Sequence, residues 1–159
     1  MRIGHGYDVH KIDPGKEKLI LGGVEIGCGF GLAAHSDGDV LLHAVTDALL
    51  GAAGMGDIGS LFPDTDMAYQ GISSILLLAE ALGRIRSSGW EIEYVDATLI
   101  AQRPKISPYI QKIRSSMARG MGIDKDRCNV KATTEEGLGF TGRGEGIAAH
   151  AVCLLIEKK

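Results

Sequence analysis

Residues 4 to 11 read GHGYDVHK and set an aspartate and a histidine two positions apart in what is otherwise an opening β-strand. Side chains along a strand alternate between faces, so Asp8 and His10 project to one side while Ile3, His5, Tyr7 and Val9 take the other. Whatever packs on the first side meets two metal-ligating groups standing next to each other. That is half of a metal site, or the polar face of an exposed strand, and further ligands have to decide between the two.

The remaining pattern mixes strands and helices. LILGGVEI holds a Gly22-Gly23 pair between two apolar runs, which predicts a tight hairpin. Ser36, Asp37 and Asp39 are candidate caps for a helix from about Val40 to Ala53. Within it Leu41, Val45, Ala48, Leu49 and Ala52 recur at helical spacing, and Asp39, His43 and Asp47 fall four apart on a polar stripe turned away from them. A second helix is predicted in ISSILLLAEALGRIRSSG, ended by Gly89, followed by a strand from Glu91 to Gln102. Ser107 and Pro108 start a third helix running to about Gly120. CNVKATT reads as a strand, TEEGLGFTGRGEG as a glycine-rich loop and GIAAHAVCLLIEKK as a last, largely buried strand. There is no strict β-α-β alternation, so the expected fold is α+β, a mixed sheet with helices packed on one face, formed by residues 1–159 as a single domain. The other face of the sheet still needs cover, and aromatic residues at 5% are few for closing a core alone, so oligomerisation is expected.

Composition narrows the function classes. Hydrophobic residues at 45% and charged residues at 23% of 159 describe an ordinary chain able to bury a sizeable core. A formal charge of -3 leaves no broad basic footprint, which argues against nucleic acid or an anionic membrane surface as partner. Cys28, Cys128 and Cys153 are odd in number, far apart and without a C-x-x-C pair, so neither a disulfide framework nor a cysteine-rich zinc knuckle is expected. Gly4, Gly6 and Asp8 stand where a signal peptide would need an apolar run, and no stretch approaches a membrane span, so the expected location is cytoplasmic.

His43 is the candidate for the ligand that Asp8 and His10 lack, with an ordinary surface histidine at helical spacing as the alternative. Two imidazoles and one carboxylate, from a strand and an adjoining helix, leave a coordination position open for a substrate oxygen. Asp47, one turn beyond His43, is a candidate to accept a hydrogen bond from a ligating imidazole. His35 and Ser36 sit just before the helix, where unpaired N–H groups favour an anion, although Ser36 or Asp37 serves equally as an N-cap. FPDTD, residues 62 to 66, clusters with Asp57 and Gly59 in one loop system whose carboxylates suit sugar hydroxyls. Gly137, Gly139 and Gly142 match G-x-G-x-x-G, with Glu157 about twenty residues on, but a dinucleotide fold needs a helix and another strand after the glycines and the chain ends at Lys159. Thr133, Thr134, Glu135 and Glu136 instead supply hydroxyls and carboxylates suited to a hard cation such as magnesium holding phosphates.

With these pieces assembled, the chain resembles the 2-C-methyl-D-erythritol 2,4-cyclodiphosphate synthase family over essentially its whole length. GHGYDVH, LAAHSDGDVLLHAVTDALLGA, GDIGSLFPDTD, AQRPKISPYI and VKATTEEGLGFTGRGEGIA are similar to that family's signature segments in order and spacing. The resemblance implies a chorismate-mutase-like homotrimer with active sites between neighbouring subunits. It implies a reaction of the non-mevalonate isoprenoid route, in which the 2-phosphate of 4-diphosphocytidyl-2-C-methyl-D-erythritol 2-phosphate attacks its own β-phosphorus and expels CMP. Zinc (Zn²⁺) is implied at Asp8, His10 and His43, and magnesium (Mg²⁺) or manganese (Mn²⁺), shared with the substrate phosphates, at Glu136. His35 and Thr134 correspond to transition-state stabilisers, and Ser36 to a phosphate contact, with Asp8, Val9 and His10 close to substrate. Asp57, Ile58 and Gly59 fall where the family meets substrate hydroxyls, with Phe62, Pro63, Asp64, Thr65 and Asp66 beside them. Ala101, Gln102, Arg103, Pro104, Lys105, Ile106 and Ser107 match the cytidine pocket, which Thr133 joins and where Lys105 can meet phosphate. Phe140 and Arg143 correspond to residues around an axial cavity able to hold an isoprenoid diphosphate.

One departure stands out: many relatives carry a neutral residue where this chain has Glu135. The resemblance implies Glu136 for the metal, because its spacing to Leu138, Gly139 and Phe140 matches the family's ligand, and in an extended segment Glu135 would point the other way. Two rival functions use the same residues, a metal-dependent phosphoester hydrolase and a non-catalytic trimeric carrier of isoprenoid diphosphates. Zinc, manganese and cobalt can share the Asp8, His10 and His43 set. His5 and His150 have no assigned role, with burial or subunit contact as the default.

Overall fold

The structure is a computed structural model that describes residues 1–63 and 65–158, apart from the side chain of Ala68. β1 (Arg2–Asp13) opens the chain and pairs antiparallel with β7 (Gly146–Glu157), from Arg2 opposite Leu155 to Lys11 opposite Gly146. On its other side β7 is antiparallel to β5 (Trp90–Ile100), which in turn runs parallel to β6 (Cys128–Thr133). The short β4 (Gly31–Leu32) pairs with Ile12 and Asp13 to give the order β4-β1-β7-β5-β6. β2 (Leu19–Leu21) and β3 (Val24–Ile26) make the expected hairpin around Gly22 and Gly23, whose φ values of 59° and 73° are those a two-residue primed turn demands. The sheet is mixed and the fold α+β, as the sequence pattern predicts.

The helices collect on one face. α1 (Val40–Ala53) lies across β1 and β7, α3 (Ser74–Ser87) packs on α1, and α4 (Ile110–Met121) covers β6. α1 begins at Asp39, which accepts the Leu42 N–H, and ends at Gly54 in the left-handed conformation that closes a last turn. Asp39 does more than cap. Its two oxygens also accept the Gly22 and Gly23 N–H groups at 2.9 and 2.6 Å, fastening the hairpin to the start of α1. Burial pushes its carboxyl up to about 6, against the pull of those three N–H bonds. The polar stripe expected along α1 is consequently buried at Asp39 and His43, because the sheet, α3 and the hairpin surround the helix.

Three elements differ from the sequence pattern in extent. The third helix starts as a 3-10 turn at Ser107–Tyr109, where Pro108 sits in the first turn and its missing N–H leaves no helical bond unmade, and becomes α-helical from Ile110. β5 ends at Ile100, with Ala101 N–H making the last bond to Thr133. The glycine-rich loop contains a single helical turn, α5 (Gly139–Gly142), which glycine's poor helix propensity conceals. A helix of the same length, α2 (Ile58–Leu61), follows α1, and 3-10 turns lie at Met67–Tyr69 and Lys125–Arg127. Among the described residues no helix is long and apolar enough to cross a membrane.

The closest packing lies between α1 and β1. A Cβ added at Gly4 would stand 1.9 Å from the Ala48 carbonyl oxygen, and one at Gly6 1.9 Å from that of Ala44. The α1 backbone therefore rests directly on the strand backbone, which glycine alone permits. Gly6→Ala is expected to lower stability by about 3 kcal/mol in urea unfolding, since both clashing partners are backbone. Gly51→Ala, on an open side of the same helix with nothing within 4 Å, is expected to raise it by about 0.5–1 kcal/mol.

Candidate metal centre and substrate cleft

Strand alternation turns Asp8 and His10 toward α1, and the close approach at Gly4 and Gly6 brings His43 down to them. Asp8 Oδ2 lies 3.0 Å from His10 Nε2 and 3.0 Å from His43 Nδ1, and the two nitrogens are also 3.0 Å apart. Donors on such a triangle can all reach one ion at the usual 2.0–2.2 Å with modest adjustment, and nitrogen with carboxylate oxygen is a donor set that zinc accepts. Among the described residues this is the one group of three or more such side chains close enough to share a cation.

Electrostatics at the triad are mutually reinforcing. Burial alone would raise the Asp8 carboxyl, but hydrogen bonds and charge from His10 and His43 override it and hold it far below the ordinary carboxylate value. Burial alone would lower His43, and the Asp8 hydrogen bond and charge raise it instead. Asp47 does not take the expected bond from an imidazole: its Oδ1 accepts the Ile58 N–H at 2.7 Å and so anchors α2. The outer nitrogen of His43 is met by Ser74 Oγ at 2.9 Å and Ser36 Oγ at 3.2 Å.

The triad opens into a cleft of about 340 Å³ that Ala33, Ala34, His35, Ser36, Ile58, Gly59, Phe62, Tyr69, Ile72 and Leu77 also line. His35, in the cleft lining, has a buried Nε2 with no hydrogen-bond partner among the described residues, a polar atom that an anionic ligand would satisfy. Asp57 caps α2 by accepting the Ser60 N–H at 2.7 Å, and hydrogen bonds from the Ser60 side chain and from that N–H lower its carboxyl below the ordinary value. Pro63, Thr65 and Asp66 are exposed beside Phe62, and Asp64 lies outside the described residues.

A second, separate cleft of about 250 Å³ gathers Ala101, Gln102, Pro104, Lys105, Ile106, Ser107, Ala132, Thr133 and Thr134. Arg103 turns away and stacks over Phe30 at 5.1 Å. Glu136 sits at the turn after β6 with φ 53°, its Oε1 accepting from Thr134 Oγ1 at 2.9 Å. Glu135 instead accepts from Thr141 Oγ1 in α5. The two carboxylates do diverge, but a left-handed turn separates them rather than the extended segment expected from the sequence. Neither belongs to the Asp8, His10 and His43 cluster within one chain. Phe140 borders a third cleft with Val9, His10, Lys11, Glu145 and Gly146, while Arg143 pairs with Glu145 at 2.7 Å.

Comparison with known proteins places these features. The model of the YgbB family matches residues 1–156. The chain belongs to the YgbB family. A relative from Trichlorobacter lovleyi named 2-C-methyl-D-erythritol 2,4-cyclodiphosphate synthase is 62% identical over 99% of this chain and 100% of its own length. The namesake from Clostridium acetobutylicum is 59% identical over 98% of this chain and 100% of its own. Among solved structures, the CDP complex of IspF from Plasmodium falciparum superposes with a TM-score of 0.86 at 39% identity, covering 99% of this chain and 97% of that one. Bifunctional IspDF from Campylobacter jejuni superposes with a TM-score of 0.94 at 46% identity, where 98% of this chain spans 42% of that longer protein.

In this YgbB-family chain some site residues had no sequence signal. Tyr69 closes the cleft edge-on against Phe62, with ring centroids 5.3 Å apart, and Ser74 looks like any helix-start serine. His5 is exposed rather than buried and shares a 3.1 Å hydrogen bond with His150 on the outer sheet face.

A pH prediction follows from the two shifts. With its carboxyl held below the ordinary 3.8, Asp8 contributes stability above that value that is lost as pH falls through its lowered folded value. His43, raised above 6.5, contributes stability that is complete below that value and lost as pH rises through its raised folded value. Chelator-treated protein is thus expected to lose stability as pH rises above 6.5 in urea titrations, with Asp8→Asn flattening the decline. A variant that declines as steeply as wild type would contradict this.

Proposed function

We infer that this chain makes 2-C-methyl-D-erythritol 2,4-cyclodiphosphate for isoprenoid precursor biosynthesis, working as a CMP-releasing, ring-closing lyase. The observation that carries this is the Asp8, His10 and His43 triangle opening into a cleft where a buried His35 nitrogen lacks a partner among the described residues, in a chain of the YgbB family. In the reaction a 2-phosphate oxygen of 4-diphosphocytidyl-2-C-methyl-D-erythritol 2-phosphate forms a bond to the β-phosphorus. The bond from that phosphorus to the oxygen shared with the α-phosphate breaks, and CMP departs with the oxygen.

One phosphate has to approach another, so charge repulsion and geometry dominate the barrier, and positioning with charge neutralisation lowers it. Asp8, His10 and His43 would hold zinc, which supplies a Lewis acid for a phosphate oxygen. His35 presents its free nitrogen to the reacting phosphates, and Ser36 hydrogen-bonds the erythritol phosphate. Asp57, Ile58 and Gly59 orient the sugar hydroxyls, with Phe62, Pro63, Thr65 and Asp66 beside them. Ala101 to Ser107, with Thr133, receive the cytidine, and Thr134 faces the phosphates. Glu136 would hold magnesium or manganese shared with the diphosphate, and Glu135, tied to Thr141, remains outside that sphere.

The two clefts share no lining residue, so a substrate that needs both calls for two copies of the chain. We propose a chorismate-mutase-like homotrimer, built on the outer sheet face. Register puts Ile3, His5, Tyr7, His150, Val152 and Tyr94 on that one face, and Ile3, Tyr7, Tyr94 and Val152 are exposed by 74%, 43%, 42% and 46%. A patch of that kind on a water-facing sheet marks an interface. Phe140 and Arg143 then surround the trimer axis, where an apolar cavity is suited to an isoprenoid diphosphate. Three free cysteines, two of them buried with thiols pushed up to about 11, suit a reducing cytoplasm.

Incubation with the cytidylylated substrate is expected to release CMP and give the paired ³¹P resonances of a cyclic diphosphate. A phosphomonoester product would favour the hydrolase, and binding without CMP release the carrier. Glu136→Ala is expected to abolish turnover and Glu135→Ala to spare it, while His43→Ala costs roughly 10³-fold in kcat/KM. In sedimentation the wild type is expected to run as a trimer of 16.8 kDa chains. Val152→Asp is expected to give monomers without activity.

A further inference from the structure

We propose that Ser74 and Asp37 are positioning residues for the metal centre, fixing the tautomer of His43 so that its Nδ1 lone pair faces the ion. The inference deepens the metal reading of Asp8, His10 and His43 and rests on it. Ser74 is the first residue of α3 and is 1% exposed, beneath the cleft rather than in it.

Hydrogen-bond counting carries the point. Ser74 Oγ lies 2.5 Å from Asp37 Oδ1 and 2.9 Å from His43 Nε2, and a serine hydroxyl has one proton to give. Both Asp37 oxygens act as acceptors: Oδ2 takes the Ser74 N–H at 3.0 Å, and Oδ1 takes the Asp39 N–H at 3.2 Å. A carboxylate so surrounded by donors takes the hydroxyl proton too, at the shortest distance in the group. Ser74 Oγ is left to accept, and among the described residues the donor facing its free lone pair is His43 Nε2–H. With its proton held on Nε2, a neutral His43 offers Nδ1 unprotonated, 3.0 Å from both Asp8 Oδ2 and His10 Nε2.

Ser36 Oγ also lies 3.2 Å from Nε2, but it lines the open cleft and accepts the Gly38 N–H. When substrate draws Ser36 away, Ser74 still holds the imidazole. Through Asp37 the same chain of bonds ties His43 to the segment before α1 and to the first turn of α3, so the ligand is braced from two elements that carry no ligand themselves.

The test uses chelator-stripped protein titrated with cobalt(II), read by its d–d absorption bands and by competition with a chelator of known affinity, with circular dichroism to check folding. Ser74→Ala is expected to weaken cobalt binding by about 10- to 100-fold and to alter the bands. Asp37→Asn, which keeps the side-chain volume but not the double acceptor, is expected to weaken it as well and covers the case in which Ser74→Ala does not fold. Wild-type affinity and bands in either folded variant would overturn the proposal. If the wild type itself took up no cobalt, the metal reading would fall first, a result distinguishable from failure of the two variants alone.

Discussion

The contact on which the rest depends is backbone against backbone, α1 lying on β1 at Gly4 and Gly6. Side chains at those two positions would lift the helix by the thickness of a methyl group or more. His43 is carried on that helix and Asp8 with His10 on that strand, so the spacing of the three donors is set by how closely two elements approach. Small residues on the facing helix side, Ala44 and Ala48, serve the same approach. A site assembled from rigid elements in this way is held to tolerances that a loop would not give.

Around this contact, carboxylates do the joining. Asp39 links the β2–β3 hairpin to α1, Asp47 links α1 to α2, and Asp37 links the segment before α1 to α3. Each uses its oxygens on backbone N–H groups at an element's start, where such groups lack helical partners. The acidic residues of the HSDGD stretch and α1 are thereby divided by role: one faces the hairpin and one the far loop, while a third stands behind the histidine. Negative charge concentrated near the triad also keeps His43 raised, so the protein itself favours a cation there.

Much of this was legible from residue order. Period-two alternation in residues 3 to 10 put Asp8 and His10 on one face, and the bounds of α1 followed from its capping signals and apolar spacing. That the Glu135 and Glu136 side chains diverge was legible from strand alternation, though the turn that splits them was not, because a left-handed glutamate breaks the usual local preference. Tyr69 and Ser74 gave no signal. One is an aromatic in a polar loop whose role shows only in its edge-on contact with Phe62, and the other is a serine at a helix start whose partner His43 lies 31 residues away.

Local chemistry by itself determined which residues have the donor atoms for a metal and a phosphate, and which segments alternate or coil, since both are properties of neighbouring side chains. Only the tertiary structure decided that three donors 33 and 35 residues apart meet at 3.0 Å, that Asp47 braces a helix instead of an imidazole, and that the two clefts stand apart in one chain. The reason is physical. Such distances are set by how whole elements pack, and packing depends on long-range contacts that no short window of sequence contains.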